Sequence, residues 1–196
     1  LSVIVARTPD ARVTTWPVAE NTHVDGILDL TVVPARVDPA LAARAAELAT
    51  AVAEALAYVG VLAVELFVVG GPDGADELLV NELAPRPHNS GHWTLDASAT
   101  SQFEQQIRTV CATMPGPTTM TAPAAAMVNL LGDLWFDDDG VVEAPRWSTA
   151  FAAPAAKLHL YGKAEPRPGR KMGHLTVTAA STDEAASLAS QLRSEL

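Results

Sequence analysis

Apolar residues along this chain fall mostly in short β-branched runs, and twice in helical spacing. Runs at residues 1–6, 12–18 (broken at Pro17) and 27–33 predict an antiparallel meander. Asp38-Pro39 then opens a helix, with Asp as N-cap and Pro at the first helical position, where no N–H is needed. Leu41, Leu48, Val52 and Leu56 carry its apolar spacing, and Gly60 is the expected C-cap. Residues 61–69 form an almost unbroken apolar strand. The cluster Gly70-Gly71-Pro72-Asp73-Gly74 turns it back into a strand at 77–83. Residues 84–93 are too rich in Pro, His and Asn to be core, and 98–113 read as a helix capped by Ser98 or Thr100. The segment 114–123, with three Pro and one Gly, is the expected linker. Strands follow at 124–130, 155–161 and 172–178, with a turn at Asp137-Asp138-Asp139-Gly140, a basic loop at 162–170 and a closing helix at 182–196 capped by Thr182 or Ser181. The pattern is α+β in two pieces, 1–113 and 114–196.

Composition narrows the classes. With 48% hydrophobic and 18% charged residues, the chain has material for a core and is not disordered. A net charge of −10 argues against a nucleic-acid partner, which calls for a basic face. Cys111 is the single cysteine, which excludes an internal disulfide framework and a zinc site of several thiolates. No apolar run is long enough to span a bilayer and no signal peptide opens the chain, so a cytoplasmic protein without a membrane partner is expected. Leu1-Ser2-Val3-Ile4-Val5 reads like the middle of a strand, so the chain is expected to start inside a larger fold.

Glu65, inside Val61-Leu62-Ala63-Val64-Glu65-Leu66-Phe67-Val68-Val69, is costly to bury without compensation. A turn centred between Asp73 and Gly74 sets Glu65 opposite Glu82, and opposed like charges destabilise a sheet. A divalent cation would resolve the conflict, Mg²⁺ being commonly held by one or two carboxylates together with substrate phosphates. Asn81 could add an oxygen ligand, but regular alternation points it to the other face. The plainer alternative is a solvent-facing Glu65 with Glu82 paired to Arg86.

The loop Pro85-Arg86-Pro87-His88-Asn89-Ser90-Gly91-His92-Trp93 sets polar side chains between prolines that reduce its freedom. Arg86 offers a fork for carboxylate or phosphate oxygens, and His88 and His92 could carry protons near neutrality. Five of the 13 basic residues, Lys157, Lys163, Arg167, Arg170 and Lys171, fall between 157 and 171, where Gly162 and Gly169 bracket a rigid loop that is either a phosphate site or a solvated basic hairpin. Alternation puts Lys157, His159 and Tyr161 on one strand face. Glu20, Asn21 and His23 are either site residues or a polar strand end.

The run from Asn81 to Trp93 resembles the 5-(carboxyamino)imidazole ribonucleotide synthase family, ATP-grasp enzymes of purine biosynthesis. The resemblance continues through Asp25-Gly26-Ile27-Leu28, Ser101-Gln102-Phe103-Glu104-Gln105, Leu158-His159-Leu160-Tyr161-Gly162-Lys163 and Arg167-Pro168-Gly169-Arg170-Lys171-Met172-Gly173-His174. It implies the second lobe of an ATP-grasp fold, an antiparallel sheet with helices, over 1–113, and a small β-rich C-terminal subdomain over 114–196. It implies ATP and Mg²⁺ as cofactors, with aminoimidazole ribonucleotide and bicarbonate as substrates and carboxyphosphate as intermediate. Glu65 and Glu82 would bind the metal and Asn81 and Glu82 the nucleotide. Arg86, His88 and Lys163 would be catalytic; Asn89, Lys163, Arg170 and Lys171 would bind substrate. The family's nucleotide-fold domain and glycine-rich lid have no counterpart in these residues, so little turnover is expected without that N-terminal half, and a homodimer is expected. The alternatives are another ATP-grasp acyl-phosphate ligase with a different acceptor, or an inactive anion-binding module.

Overall fold

The computed structural model describes residues 1–71, 76–137 and 139–196. Strands β1 (Ser2–Arg7), β2 (Val13–Thr15), β5 (Gly60–Gly70) and β6 (Asp76–Ala84) form one antiparallel sheet in the order β2-β1-β5-β6. Strands β3 (Glu20–Val24), β4 (Ile27–Val33), β7 (Ala124–Leu131), β8 (Ala156–Leu160) and β9 (Lys171–Ala179) form a second, in the order β3-β4-β7-β9-β8. The meander predicted for the first three runs is therefore split. The first two pair as β1 and β2, while the third, β4, pairs with β7 almost a hundred residues later.

Alternation sorts the side chains into three apolar layers. On the outer face of the first sheet, Val3, Val5, Leu62, Val64 and Leu66 pack under helix α1 (Pro39–Ala55). The face α1 buries is Leu41, Ala45, Ala49 and Ala53. Alanine at three of these positions lets the helix axis approach the sheet, and Leu56, taken as part of the stripe from spacing, is exposed. Asp38 does cap the helix, its carboxylate accepting from Ala40 N–H. The helix ends before Gly60, at Leu56, and Ala57 turns the chain at φ 46°. Between the sheets, Ile4, Ala6, Val61 and Ala63 meet Trp16, Trp93, Leu28, Val33, Ala125 and Met127. Beyond the second sheet, Val128, Leu130, Leu175 and Val177 pack against Ala185, Ala189 and Leu192 of α5 (Thr182–Ser194), which Ser181 caps.

The middle layer carries the site. Along β5 the inner face runs Val61, Ala63, Glu65, and along β7 it runs Ala125, Met127, Asn129. In each sheet the layer turns from apolar to polar toward the same end. Short helix α2 (Thr94–Ala97) and α3 (Gln102–Val110) follow the Pro-rich loop. The cap of α3 is Ser101, whose hydroxyl accepts from Glu104 N–H, so the helix starts later than the expected Ser98 or Thr100. Those two serve instead as acceptors for the buried Trp16 indole, through Ser98 Oγ at 3.1 Å and the Thr100 carbonyl at 3.0 Å. Helix α4 (Trp147–Ala152) was not predicted. At the acidic turn, Asp137 Oδ1 accepts from the N–H groups of Asp139 and Val141, while Asp138 lies outside the described residues. No helix among the described residues is long and apolar enough to cross a membrane.

Candidate active site

The β5–β6 hairpin opposes Glu65 and Glu82, as the turn arithmetic expects, but by a different route. Residues Pro72, Asp73 and Gly74, on which that arithmetic centred the turn, lie outside the described residues. The described pairs run from Gly70–Asp76 to Leu66–Val80; then Asn81 is skipped and pairing resumes at Glu65–Glu82. Without that bulge Glu65 would face Asn81. An extra residue on one strand breaks strict alternation, which accounts for Asn81 and Glu82 lining the same cleft as Glu65. The cleft, about 410 Å³, is also lined by His23, Gly26, Leu28, Phe67, His88 and Lys171. Glu65 is 8% exposed, with Oε1 3.7 Å from His88 Nδ1, whereas Glu82 is open to solvent. The pairing of Glu82 with Arg86 weighed above is not formed: Arg86 donates to the Pro87 carbonyl at 3.0 Å, and among the described residues no ion pair joins it to Glu82.

The loop after β6 is held from inside by Gln102. Its Oε1 accepts from His88 N–H at 2.9 Å and its Nε2 donates to the His88 carbonyl at 2.7 Å, so the fully buried amide pairs with the His88 backbone as a neighbouring strand would. Gly91 lies against that amide and Ile4, where a Cβ would collide. His88 Nδ1 meets Ser90 twice, its hydroxyl at 2.9 Å and its N–H at 3.4 Å, and in the tautomer that accepts from both the ring proton is on Nε2. Burial lowers the His88 pKa below the usual imidazole value; Glu65 opposes that shift, and the charges of Arg86 and Lys171 reinforce it. Lys171 is likewise lowered, first by burial and then by Arg86 and Lys163, against Glu65. These mutual shifts describe one electrostatic cluster: Glu65, Glu82, Arg86, His88, Lys163 and Lys171.

Two expectations change here. His92 is not a proton carrier near neutrality: burial pushes its pKa down to about 4, and its Nδ1 pairs with Gln102 Nε2 at 2.9 Å, away from the cleft. Asn89 is turned toward the second sheet, where its amide exchanges two hydrogen bonds with Asn129, at 2.9 and 2.7 Å. Sequence reasoning missed Asn129, which also donates to the Leu28 carbonyl at 2.7 Å. A polar residue at an inner-face position of an otherwise apolar strand was the available signal.

Of the basic group, Lys171 reaches the cleft, and Lys163 donates to the Lys171 carbonyl. Arg170 donates to the Glu165 carbonyl at 2.7 Å and Arg167 pairs with the Glu165 carboxylate. Lys157 lies on β8 and is exposed. Of the polar strand end, His23 lines the cleft, Glu20 pairs with Arg36, and Asn21 accepts from the Thr31 hydroxyl. Gly132 fixes the basic loop. Its N–H donates to the Arg170 carbonyl at 2.8 Å, and a Cβ there would overlap the Arg167 backbone. Gly132→Ala is expected to destabilise the protein by about 1–3 kcal/mol and to shift the amide NMR signals of Arg167 and Arg170, with those of α1 unmoved. Unchanged loop signals would show that the loop is not pinned there.

Two facing antiparallel sheets, with paired carboxylates on the hairpin of one and a basic loop on the other, fit the second half of a nucleotide-dependent ligase. The chain belongs to the ATP-grasp family, whose domain model matches residues 1–103. Residues 125–188 match the phosphoribosylaminoimidazole carboxylase C-terminal domain. N5-carboxyaminoimidazole ribonucleotide synthase of Bacillus subtilis is 50% identical over 184 residues, covering 94% of this chain and 45% of the relative. The crystal structure of N5-carboxyaminoimidazole ribonucleotide synthetase from Thermus thermophilus superposes with a TM-score of 0.84 at 41% identity, covering 100% of this chain and 51% of that one. The Aspergillus clavatus N5-carboxyaminoimidazole synthase, in complex with ADP and 5-aminoimidazole ribonucleotide, gives a TM-score of 0.81 at 34% identity, covering 98% and 50%. The chain thus spans about half the length of the relatives it matches.

Proposed function

We propose that this chain supplies part of the active site of an ATP- and bicarbonate-dependent ligase that N-carboxylates 5-aminoimidazole ribonucleotide in purine biosynthesis. The observation that carries the reading is the carboxylate pair Glu65–Glu82, set with Asn81 in a cleft that Lys171 and His88 close on the other side. In this reading residues 1–113 are the second ATP-grasp lobe and 114–196 the small subdomain.

Two carboxylates and an amide oxygen are hard donors that suit Mg²⁺, and the opposed charges of Glu65 and Glu82 leave a local deficit of positive charge. Glu65 and Glu82 would hold the ion, with Asn81 beside them on the nucleotide phosphates. Bound there, Mg²⁺ would offset the charge of those phosphates. A bicarbonate oxygen attacks the terminal phosphorus of ATP, the bond to ADP breaks, and carboxyphosphate forms. The acceptor's amine then takes the carboxyl group and inorganic phosphate leaves. Arg86, whose fork bonds only the Pro87 carbonyl among the described residues, offers donors to the anionic carboxyphosphate. Neutral His88 offers its Nε2–H to the same group without competing as a charge. Lys163, Arg170 and Lys171 would bind the acceptor and its 5′-phosphate, with Lys163 also facing the transferred group. Asn89, engaged with Asn129, shapes that pocket rather than contacting the reacting atoms.

The test is ADP release by the full-length gene product in bicarbonate, with and without 5-aminoimidazole ribonucleotide. Strong dependence on that nucleotide is expected, and the 196-residue chain alone should show little turnover. ADP release indifferent to the nucleotide would overturn the acceptor assignment.

A further inference from the structure

Behind the basic loop lies a buried aromatic cluster that the reaction scheme does not use. His174 is 1% exposed and stacks on His159 with ring centroids 4.5 Å apart and planes 11° from parallel. His92 approaches His174 at 5.1 Å and Tyr161 edge-on at 6.1 Å. Every member is tethered. His159 Nε2 bonds the Asp96 carboxylate at 2.9 and 3.1 Å, His92 bonds Gln102, and the Tyr161 hydroxyl meets His174 Nδ1 at 2.9 Å.

Asp96, His159 and His174 lie close enough together to suggest a metal site. Ring geometry opposes it. An imidazole lone pair lies in the ring plane, and two nearly parallel stacked rings cannot aim theirs at one ion.

What the cluster does hold is Tyr161, and what Tyr161 meets is Lys163. The lysine Nζ lies 5.5 Å from the Tyr161 ring centroid, within cation–π range, and its other polar contact is the Lys171 carbonyl. Lys163 follows Gly162, at φ +68°, in an exposed loop. Its long side chain has much rotamer freedom to lose before it can face a ligand. A ring that could swing would not restrict it. We propose that Tyr161, locked by His174, is a positioning residue that sets the Lys163 ammonium for the acceptor, with His92, His159 and Asp96 bracing the lock.

Burial keeps both ends of the lock uncharged. Tyr161 is held protonated, its pKa pushed up to about 12, and His174 neutral, its pKa pushed down to about 3. Both groups are therefore uncharged near neutrality, and the 2.9 Å contact between the Tyr161 hydroxyl and His174 Nδ1 is a neutral hydrogen bond. Among the described residues His174 Nε2 has no hydrogen-bond partner, so the contact with Tyr161 is the one hydrogen bond of the ring nitrogens there. The inference rests on the reading of Lys163 as an acceptor-site cation.

The test uses Tyr161→Phe, His174→Leu and His174→Asn in the full-length gene product. An asparagine amide can bond the Tyr161 hydroxyl where Nδ1 did; leucine cannot. Tyr161→Phe and His174→Leu are expected to raise the acceptor KM about tenfold with the KM for ATP unchanged, and His174→Asn to recover most of the loss. A purely structural role would lower stability and affect both substrates together, and that result would overturn the proposal. A readout independent of turnover comes from the three lysines of this 196-residue chain, Lys157, Lys163 and Lys171. After ¹³C-methylation, the Lys163 signal, assigned with Lys163→Arg, is expected to carry a ring-current shift that shrinks in Tyr161→Phe and His174→Leu. An unmoved signal overturns the proposal, as does a moved signal with an unchanged acceptor KM in an active enzyme. If the unaltered protein shows no acceptor-dependent turnover, the functional reading fails, and the lysine signal alone decides whether Tyr161 holds Lys163.

Discussion

Glu65→Gln in the full-length gene product is expected to weaken Mg²⁺–ADP binding by about 100-fold or more, at or above the upper end of the loss seen when a residue merely supporting a metal ligand is removed. Glu82→Gln should act in the same direction. Binding of 5-aminoimidazole ribonucleotide should change little, because the cationic groups assigned to it come from the second sheet and its loop. The same substitution is expected to stabilise the ligand-free protein. Opposed carboxylates repel, and removing one charge from such a pair recovers about 0.2–1 kcal/mol. Titration calorimetry with each ligand, beside denaturant unfolding without ligand, reads both effects. Equal loss of nucleotide and acceptor binding would sink the metal assignment. A Glu65→Gln variant that unfolds at lower denaturant would show that Glu65 is compensated by its surroundings, His88 above all, without any cation.

A steep loss of stability below neutrality is the second expected result. Burial depresses His92 to about 4 and His174 to about 3, both well below the value near 6.5 that an unfolded chain restores. Between these limits the unfolded chain binds more protons than the folded one, so stability falls as pH falls from about 6.5 and levels off below the folded values. Each histidine then contributes about 1.4 kcal/mol per pH unit, so going from pH 7 to 5 removes about 4 kcal/mol from the pair. That is a large part of the stability of an ordinary domain. The charges facing the cluster are Asp96 beside His159, and Arg86, Lys171 and His88 toward the cleft; the cations and His88 oppose protonation of His92. Unfolding curves at pH 7, 6 and 5 measure the slope, and His174→Asn should remove about half of it. A flat profile over that range would mean that the histidines are hydrated or already charged when folded.

How much was legible in the residues differs from element to element. Strands 124–130, 155–161 and 172–178, and the closing helix after Ser181, follow from alternation and capping, because those signals lie within one element. Spacing alone also singled out Glu65 and Glu82, since an acidic residue in an apolar strand stands out. The route to their pairing was not legible. The turn arithmetic reached the right partner only because the bulge at Asn81 displaced the register. A bulge leaves no mark in composition, being set by what the two strands pack against. His92 was misread for a similar reason. An imidazole in a polar loop suggested a proton carrier near neutrality, whereas Gln102 and the second sheet draw this one into the interior.

Local chemistry, then, already determines the α+β class, most element boundaries, the charged loop and the out-of-place carboxylate at Glu65. Tertiary structure alone decided that the β3–β4 hairpin joins β7 rather than β1 and β2, and that the inter-sheet layer turns polar at one end. It also decided that Lys171 shares a cleft with Glu65, that Asn129 occupies Asn89, and that a tyrosine locked by a buried histidine lies under Lys163. Most of these relations join residues from about a dozen to about a hundred positions apart. Such contacts follow from which apolar faces bury one another, and that is a property of the whole packed chain, absent from any short window of its sequence.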